Sequence, residues 1–536
     1  MTSPPLASAE RYWWAAAFGL AAMIAVPLFL ADFPPIYDYL NHLARMHVLI
    51  RLHDDPILAA MYEIRWAVIP NLAIDVVVPP LSHVVRLDVA GRIFLGMALL
   101  FPVAGVVAAH RAAFGGRSYW PLAAAMVAYN SLFFWGFVNF LVGLGLALFG
   151  VALWLRPLVG RIGWHLAIVS VLALVLFVCH AQALGLFGLT VGCIELTGLW
   201  HARRDHRVTL GAVTCRLFIG AIPFMLPALL FLFAAPLGDA LTAKPVPQAI
   251  REYLWAVENS YRDGKLSGLG APVSSYSPLL DGVALAVCGL LFLTQIRRFG
   301  CRVQPGLLLA AALLFLAYPV VPSVWLTAAN VDSRLPVFAA LLIFAGVAPK
   351  GVAAPAIRLG AMLFVALLAV RTGVVAYAWA DSTSGTKACR QVMQKIEPGA
   401  RVIVVSGAEA LRPLSLERRV LYNYHPIDLA PLLTIDRDAF WPAALYTSKT
   451  LQITRVRPAY LPLSIAQGDF PPDTALTQPS AFHIGLNPYV LKWRSLFDYV
   501  LVWRPGGTVA ERAAWLADSL KPLDTAGICA LYAVRK

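Results

Sequence analysis

Charge is scarce in this chain. Only 13% of its 536 residues are Asp, Glu, Lys or Arg, where soluble globular domains carry about 25%. Hydrophobic residues make up 60% and mean hydropathy is +0.71, which excludes an ordinary soluble enzyme. The signatures of common soluble chemistry are missing too: no P-loop, no G-x-G-x-x-G after a strand, no H-E-x-x-H and no G-x-S-x-G. No nucleotide-binding unit is present that would drive an ATP-powered pump. The seven cysteines show no metal-binding spacing, and there is no internal repeat or low-complexity tract. The first apolar run, 13–31, has no A-x-A cleavage site after it, so it reads as a retained membrane helix, not a cleaved signal.

Long apolar runs are what the chain has in place of charge. Spans of roughly the 20 residues that cross a bilayer fall at 13–31, 91–109, 119–135, 137–155, 163–180, 182–200, 217–235, 278–296, 304–321, 335–348 and 359–379. The fold class predicted is therefore a polytopic α-helical membrane protein of about 11 crossings. The net charge of +14 is distributed in one way only. With the N-terminus inside, the inside segments carry Arg11, Arg111, Arg117, Arg156, Arg161, Arg203, Arg204, Arg207, Arg216, Arg297, Arg298, Arg302, Lys350 and Arg358. The positive-inside rule orients the bundle by these residues. Such a basic total reflects loops at one membrane face, not a nucleic-acid partner. The spans themselves are almost free of mid-depth charge, with Glu195 near an inside end.

Four segments then lie outside: 32–90, 236–277, 322–334 and 380–536. The first opens on DFPPIYDYLNHLARMHVLIR. Pro34 and Pro35 end the first span, because proline lacks the N–H and clashes with the preceding turn. A new helix starts near Tyr37. It places Asp38, His42 and Arg45 on one face, with Tyr39, Leu43, Met46 and Ile50 on another. An amphipathic helix of this kind suits the membrane interface. Beyond it, Pro70, Pro79 and Pro80 cut the remaining stretch into short pieces, and Glu63 and Asp75 read as peripheral carboxylates.

Polar groups at membrane depth are costly and mark function. The others on the outer side are Asn139 beside Gly136, His180 and Gln182 at the turn of the fifth and sixth spans, and Asp332 and Arg334 before the tenth. Arg251, Arg262 and Lys265 in the 236–277 segment could grip a phosphate, for which the guanidinium fork is well suited. Each has a plainer reading: Asn139 as a helix joint, His180 as a packing residue, Asp332 with Arg334 as an interfacial pair, and the three cations as a solvated loop.

The tail, 380–536, reads as an extracytoplasmic α/β domain: strands in GARVIVVSG (399–407), FDYVLVW (497–503) and ICALYAVRK (528–536), and a helix in ERAAWLADSL (511–520). At about 155 residues it can bury its own core. Its two cysteines, Cys389 and Cys529, are a disulfide candidate joining the first helix to the last strand.

This layout resembles the GT-C membrane glycosyltransferases, over the whole plan of residues 1–379 with their long first outer loop and a C-terminal outer domain. The resemblance implies transfer of a sugar from a polyprenyl-phosphate-linked donor to a cell-envelope glycan, lipid or protein acceptor. It implies inversion, with the acidic residue just past the first span, Asp38, as catalytic base and Asp32 as a weaker match. No adjacent acidic pair follows that span; the next, Asp54–Asp55, lies downstream. The substrate-binding set would be His42, Arg45, Asn139, His180, Gln182, Arg251, Arg262, Lys265, Asp332 and Arg334. The residues demand no cofactor, and a divalent metal is left open. The place expected is a bacterial-type inner (plasma) membrane, N-terminus cytoplasmic. The rival class is a transporter or lipid flippase with an outward-facing polar site.

Overall fold

The computed structural model describes residues 6–156, 160–204, 209–233, 246–325, 328–350, 354–407, 429–443, 452–465, 470–504 and 519–536. Eight of its helices are long and apolar enough to cross a membrane. Helix α1 (Leu6–Ala25) leads into the segment with α2 (Tyr39–Arg51), α3 (Pro56–Met61), strand β1 (Tyr62–Ile64) and α4 (Ala73–Ser82). The bundle continues with α5 (Leu87–Phe114), the short α6 (Ser131–Trp135), α7 (Val138–Leu155), α8 (Ile162–Cys179), α9 (Ala181–Arg204) and α10 (Leu210–Phe233). It is completed by α11 (Val246–Arg262), α12 (Pro278–Phe299), β2 (Cys301–Val303), α13 (Pro305–Ala317), α14 (Arg334–Gly346), β3 (Val347–Pro349) and α15 (Ala354–Met393).

The runs at 304–321 and 335–348 are two 13-residue helices, α13 and α14. They are tied at one end by the antiparallel pairing of β2 with β3. The run at 119–135 is not a regular α-helix. It is an eight-residue 3-10 turn, Trp120–Val127, followed by α6. Irregular backbone at membrane depth survives only where protein satisfies it, and Arg371 of α15 does so. Its guanidinium donates to the carbonyls of Met126 (2.8 Å) and Tyr129 (3.3 Å), and pairs with Asp281 of α12 at 3.1 Å. Arg371 lies mid-span and is 2% exposed. The spans are therefore not free of mid-depth charge, which corrects the reading of the sequence.

The arginine-bearing loops gather at one end of the bundle. Glu10 pairs with Arg117 at 2.5 Å, Arg156 donates to the Arg111 carbonyl at 2.7 Å, and Arg302 to that of Phe114 at 3.0 Å. The opposite end carries residues 32–90, the α6–α7 and α8–α9 turns, and the tail. Helix α15, 40 residues long, reaches about 60 Å, twice the hydrocarbon thickness. Its second half runs unbroken past residue 380 into the tail.

The tail holds a four-stranded sheet in the order β4-β6-β8-β7, from β4 (Val402–Ser406), β6 (Tyr499–Trp503), β7 (Leu520–Ala526) and β8 (Cys529–Val534). Strands β4 and β6 are parallel, and β8 is antiparallel to both β6 and β7. Cys389 at the end of α15 is bonded to Cys529 at the start of β8, with Cα atoms 5.2 Å apart. The helix expected at 511–520 falls largely on 505–518, outside the described residues; Leu520 opens β7 instead.

Helix α2 is not an interfacial helix. Leu43, Ala44, Met46 and Val48 are fully buried, and Asn41, His42 and His47 nearly so. It is wedged between α4 and α5 on one side and a tail helix, α16 (Pro431–Arg437), on the other. His47 bonds Asp438 at 2.7 Å and Arg51 bonds the same carboxylate at 3.2 Å, locking α2 to the tail. Strand β1 pairs antiparallel with β5 (Thr454–Val456) of the tail. Tail and bundle thus share one continuous hydrophobic core. Pro79 and Pro80 do not break up this segment; they sit in the last turns of α4.

Candidate functional site

Four chain segments meet around residues 136–140. Asn130 caps α6 by accepting from the Phe133 N–H, and Gly136 ends it in the left-handed conformation at φ +88°. Helix α7 starts two residues later. The approach to α2 is clamped to this turn: the Tyr37 N–H donates to the Phe134 carbonyl at 2.9 Å. From behind, Trp379 of α15 donates to the Tyr276 hydroxyl, which donates to the Pro35 carbonyl, each at 3.0 Å.

Asp38 sits at the N-cap of α2, yet its side chain makes no capping bond. It is partly buried. Burial pushes its carboxyl up to about 6, against the opposing pull of the Arg45 charge and of a hydrogen bond from Asn41. Arg45 is 1% exposed and pairs with Asp75 of α4 at 2.9 Å. It also lies 3.3 Å from Nδ1 of His42. Burial, then the Arg45 charge, push His42 down to about 3, while a bond to the Gly136 backbone pulls the other way. His42 is therefore neutral at working pH, so that Nδ1 can accept from the Arg45 guanidinium. Burial raises the Asp75 carboxyl, and Arg45 opposes this. The Arg45 Nε is buried with no partner among the described residues.

A second cluster lies on the same turn. The Arg334 guanidinium stacks 4.6 Å from the Phe137 ring and 5.2 Å from Phe140. It lies 3.1 Å from His180 Nε2 and donates to Gln182 Oε1 at 2.9 Å. Its Nε is also buried and unpartnered among the described residues. Asp332 does not pair with Arg334. It binds Lys265 at 2.8 Å in a pair buried on both sides, reinforced by Ser323 at 2.8 Å. Lys265 is thus a committed structural cation and no free phosphate grip. Arg262 is exposed and paired with Glu258 of its own helix, and Arg251 is exposed on the same helix. Asn139 spends its amide on the Ile74 N–H (2.9 Å) and the Asn71 carbonyl (2.8 Å), fixing the start of α4.

The structure therefore brings together Asp38, His42 and Arg45, and separately His180, Gln182 and Arg334, both groups on the 136–140 turn. Sequence reasoning misplaced Asp75 as peripheral. A carboxylate inside the apolar run NLAIDVVVPPL was the available signal, since buried charge requires a partner. It missed Asn41, Gly136 and Tyr276, whose roles depend on contacts distant in sequence. Among the described residues no group of three or more His, Cys, Asp or Glu side chains is placed to hold a metal ion.

Fold and site together define a polytopic helical membrane protein with a sheet-containing tail and a buried ionisable cluster at one end. No family model matches the chain, and no curated protein matches it. Among solved structures it is similar to ArnT from Cupriavidus metallidurans bound to undecaprenyl phosphate. That likeness is at 11% identity and TM-score 0.49, covering 99% of this chain and 98% of that one.

Proposed function

We propose that the chain is a membrane glycosyltransferase that moves a sugar from a polyprenyl-phosphate donor to a hydroxyl of an envelope glycan, lipid or protein. The observation that carries this reading is the state of Asp38: a partly buried carboxyl, raised to about 6, uncommitted to its helix cap and adjacent to a buried arginine. A base of that pKa is mostly ionised at pH 7 and can still accept a proton, which is what general-base catalysis needs.

In the proposed step the acceptor hydroxyl loses its proton to Asp38. Its oxygen forms a bond to the anomeric carbon from the face opposite the phosphate. The carbon–oxygen bond to phosphate breaks, and the electron pair leaves on the polyprenyl phosphate. That leaving group is already a weak base and needs positive charge more than a proton. Arg45 and Arg334 each retain a buried Nε–H unspent among the described residues, and supply that charge. His42, neutral and bonded to both Arg45 and Gly136, positions the guanidinium.

A transporter or flippase would need a charge free to change partners along its path. The one mid-span arginine described above, Arg371, is held by Asp281 and by backbone carbonyls of Met126, Tyr129 and Val273. The test is a proteoliposome assay with a short-chain polyprenyl phosphate carrying a radiolabelled sugar and a total envelope extract as acceptor. Label moving to the extract, with the anomeric configuration reversed, is the result expected. Label crossing the bilayer still attached to its carrier would replace this reading with flipping.

A further inference from the structure

At the end of the bundle away from Asp38, α1 stands off from α5 and α7. The separation along α7 from Asn139 to Arg156 is about 25 Å, so this region is distinct from the site. Small residues on three helices, among them Ala17, Ala21, Ala104, Ala108 and Ala152, leave a cleft of about 590 Å³. That lies within the range of ligand sites, about 300–1,000 Å³. Its walls are apolar, with Leu20, Ile24, Leu100 and Leu153 among them. Such a lining offers water nothing to bond, and in a bilayer it fills with hydrocarbon.

The mouth is different. Arg111, Arg117 and Arg156 all line it. Arg156 spends its donors on the carbonyls of Arg111 and Ala112. Arg117 is paired with Glu10 and faces Trp13 and Trp14, at 5.9 and 5.6 Å from the ring centres. The exposed guanidinium of Arg111 has no partner among the described residues. Three arginines face one carboxylate, so the mouth carries net positive charge. Trp13 and Trp14 lie at the same level, the aromatic belt that marks headgroup depth. Trp13 is fixed there by donating to the Ser118 carbonyl at 2.9 Å.

We propose that this cleft is a binding site for an anionic phospholipid, its acyl chain between α1 and α5 and its phosphate on Arg111. Apolar walls continuous with a cationic rim at headgroup depth match an amphiphile with one negative phosphate, and a guanidinium there favours it over a zwitterionic lipid. The site is independent of the transfer chemistry proposed for Asp38.

The test uses the purified full-length chain, delipidated in detergent and titrated with phosphatidylglycerol or phosphatidylcholine of identical chains, with bound lipid counted by native mass spectrometry. One phosphatidylglycerol should bind at least about fivefold more tightly than phosphatidylcholine. Arg111→Gln, an exposed position that leaves folding intact, should remove that preference. Ala108→Leu, or Ala104→Leu if the first misfolds by thermal melting, should abolish tight binding with every arginine in place. Glycerol phosphate, which lacks chains, should not compete. Equal binding of the two lipids, or an unaltered preference in Arg111→Gln, means ordinary annular lipid and overturns the proposal. Competition by glycerol phosphate at the same strength means a simple anion site and overturns it too.

Discussion

Gly136 presses directly against Asp38. A Cβ added at Gly136 would lie 2.8 Å from the Asp38 Cβ and 2.9 Å from its backbone nitrogen. The residue is also at φ +88°, a conformation that side chains other than glycine rarely take. Both constraints act on the same few atoms, so this glycine sets where the carboxylate stands. Gly136→Ala should cost about 1–3 kcal/mol in stability and shift Asp38 relative to Arg45. The expected result is a drop in transfer rate of about a hundredfold, as for misplaced catalytic groups, in protein that still purifies as a monodisperse species.

The pH dependence follows from the raised carboxyl. In the proposed step the ionised form of Asp38 is the active one, so activity should fall as pH drops through about 6 and stay flat above it. The kcat/KM for transfer should decline about tenfold per pH unit on the acid side. The Arg45 charge opposes the rise, so Arg45→Met should move the midpoint upward. A midpoint near the ordinary carboxyl value of 3.8 would remove Asp38 as the titrating base.

Arg45 and Asp75 are a buried pair, with side chains 2% and 1% exposed. Removing one partner strands the other charge, so Asp75→Leu should destabilise the protein by about 3–5 kcal/mol. Replacing both, Arg45→Met with Asp75→Leu, should cost less than the single change, though it removes the guanidinium from the site. Thermal unfolding of the two variants in one detergent checks the order.

The Cys389–Cys529 bond closes a segment with a sequence separation of 140. Breaking it should lower stability by about 2–5 kcal/mol. Reducing agent should reproduce the shift seen in Cys389→Ala, and should do nothing further to that variant. Differential scanning calorimetry with and without reductant is the measurement.

Much of the architecture is legible in the sequence because it depends on local pattern. Apolar length marks the long helices. Strands β4, β6 and β8 carry short apolar runs. What escapes is what depends on distant partners. An amphipathic pattern reads the same whether its polar face meets water or, as in α2, meets Asp75 and Asp438. Arg371 finds Asp281 from 90 residues away. In the apolar run at 119–135, Asn130 bonds the Val127 and Ala128 carbonyls locally, but those of Met126 and Tyr129 are met by Arg371 of α15, far off in sequence. Strand β7, LKPLDTA, shows no alternation and contains Pro522, which an edge strand tolerates.

In the proposed reaction the Asp38 carboxylate takes the acceptor proton. Its most direct test is transfer from a radiolabelled polyprenyl-phosphate sugar by Asp38→Asn in proteoliposomes, with folding verified by the melting profile. Asparagine keeps the shape and cannot accept a proton. A loss of about 10²–10⁴-fold in rate is expected with donor binding retained, and partial recovery in Asp38→Glu. A wild-type rate in correctly folded Asp38→Asn would contradict it.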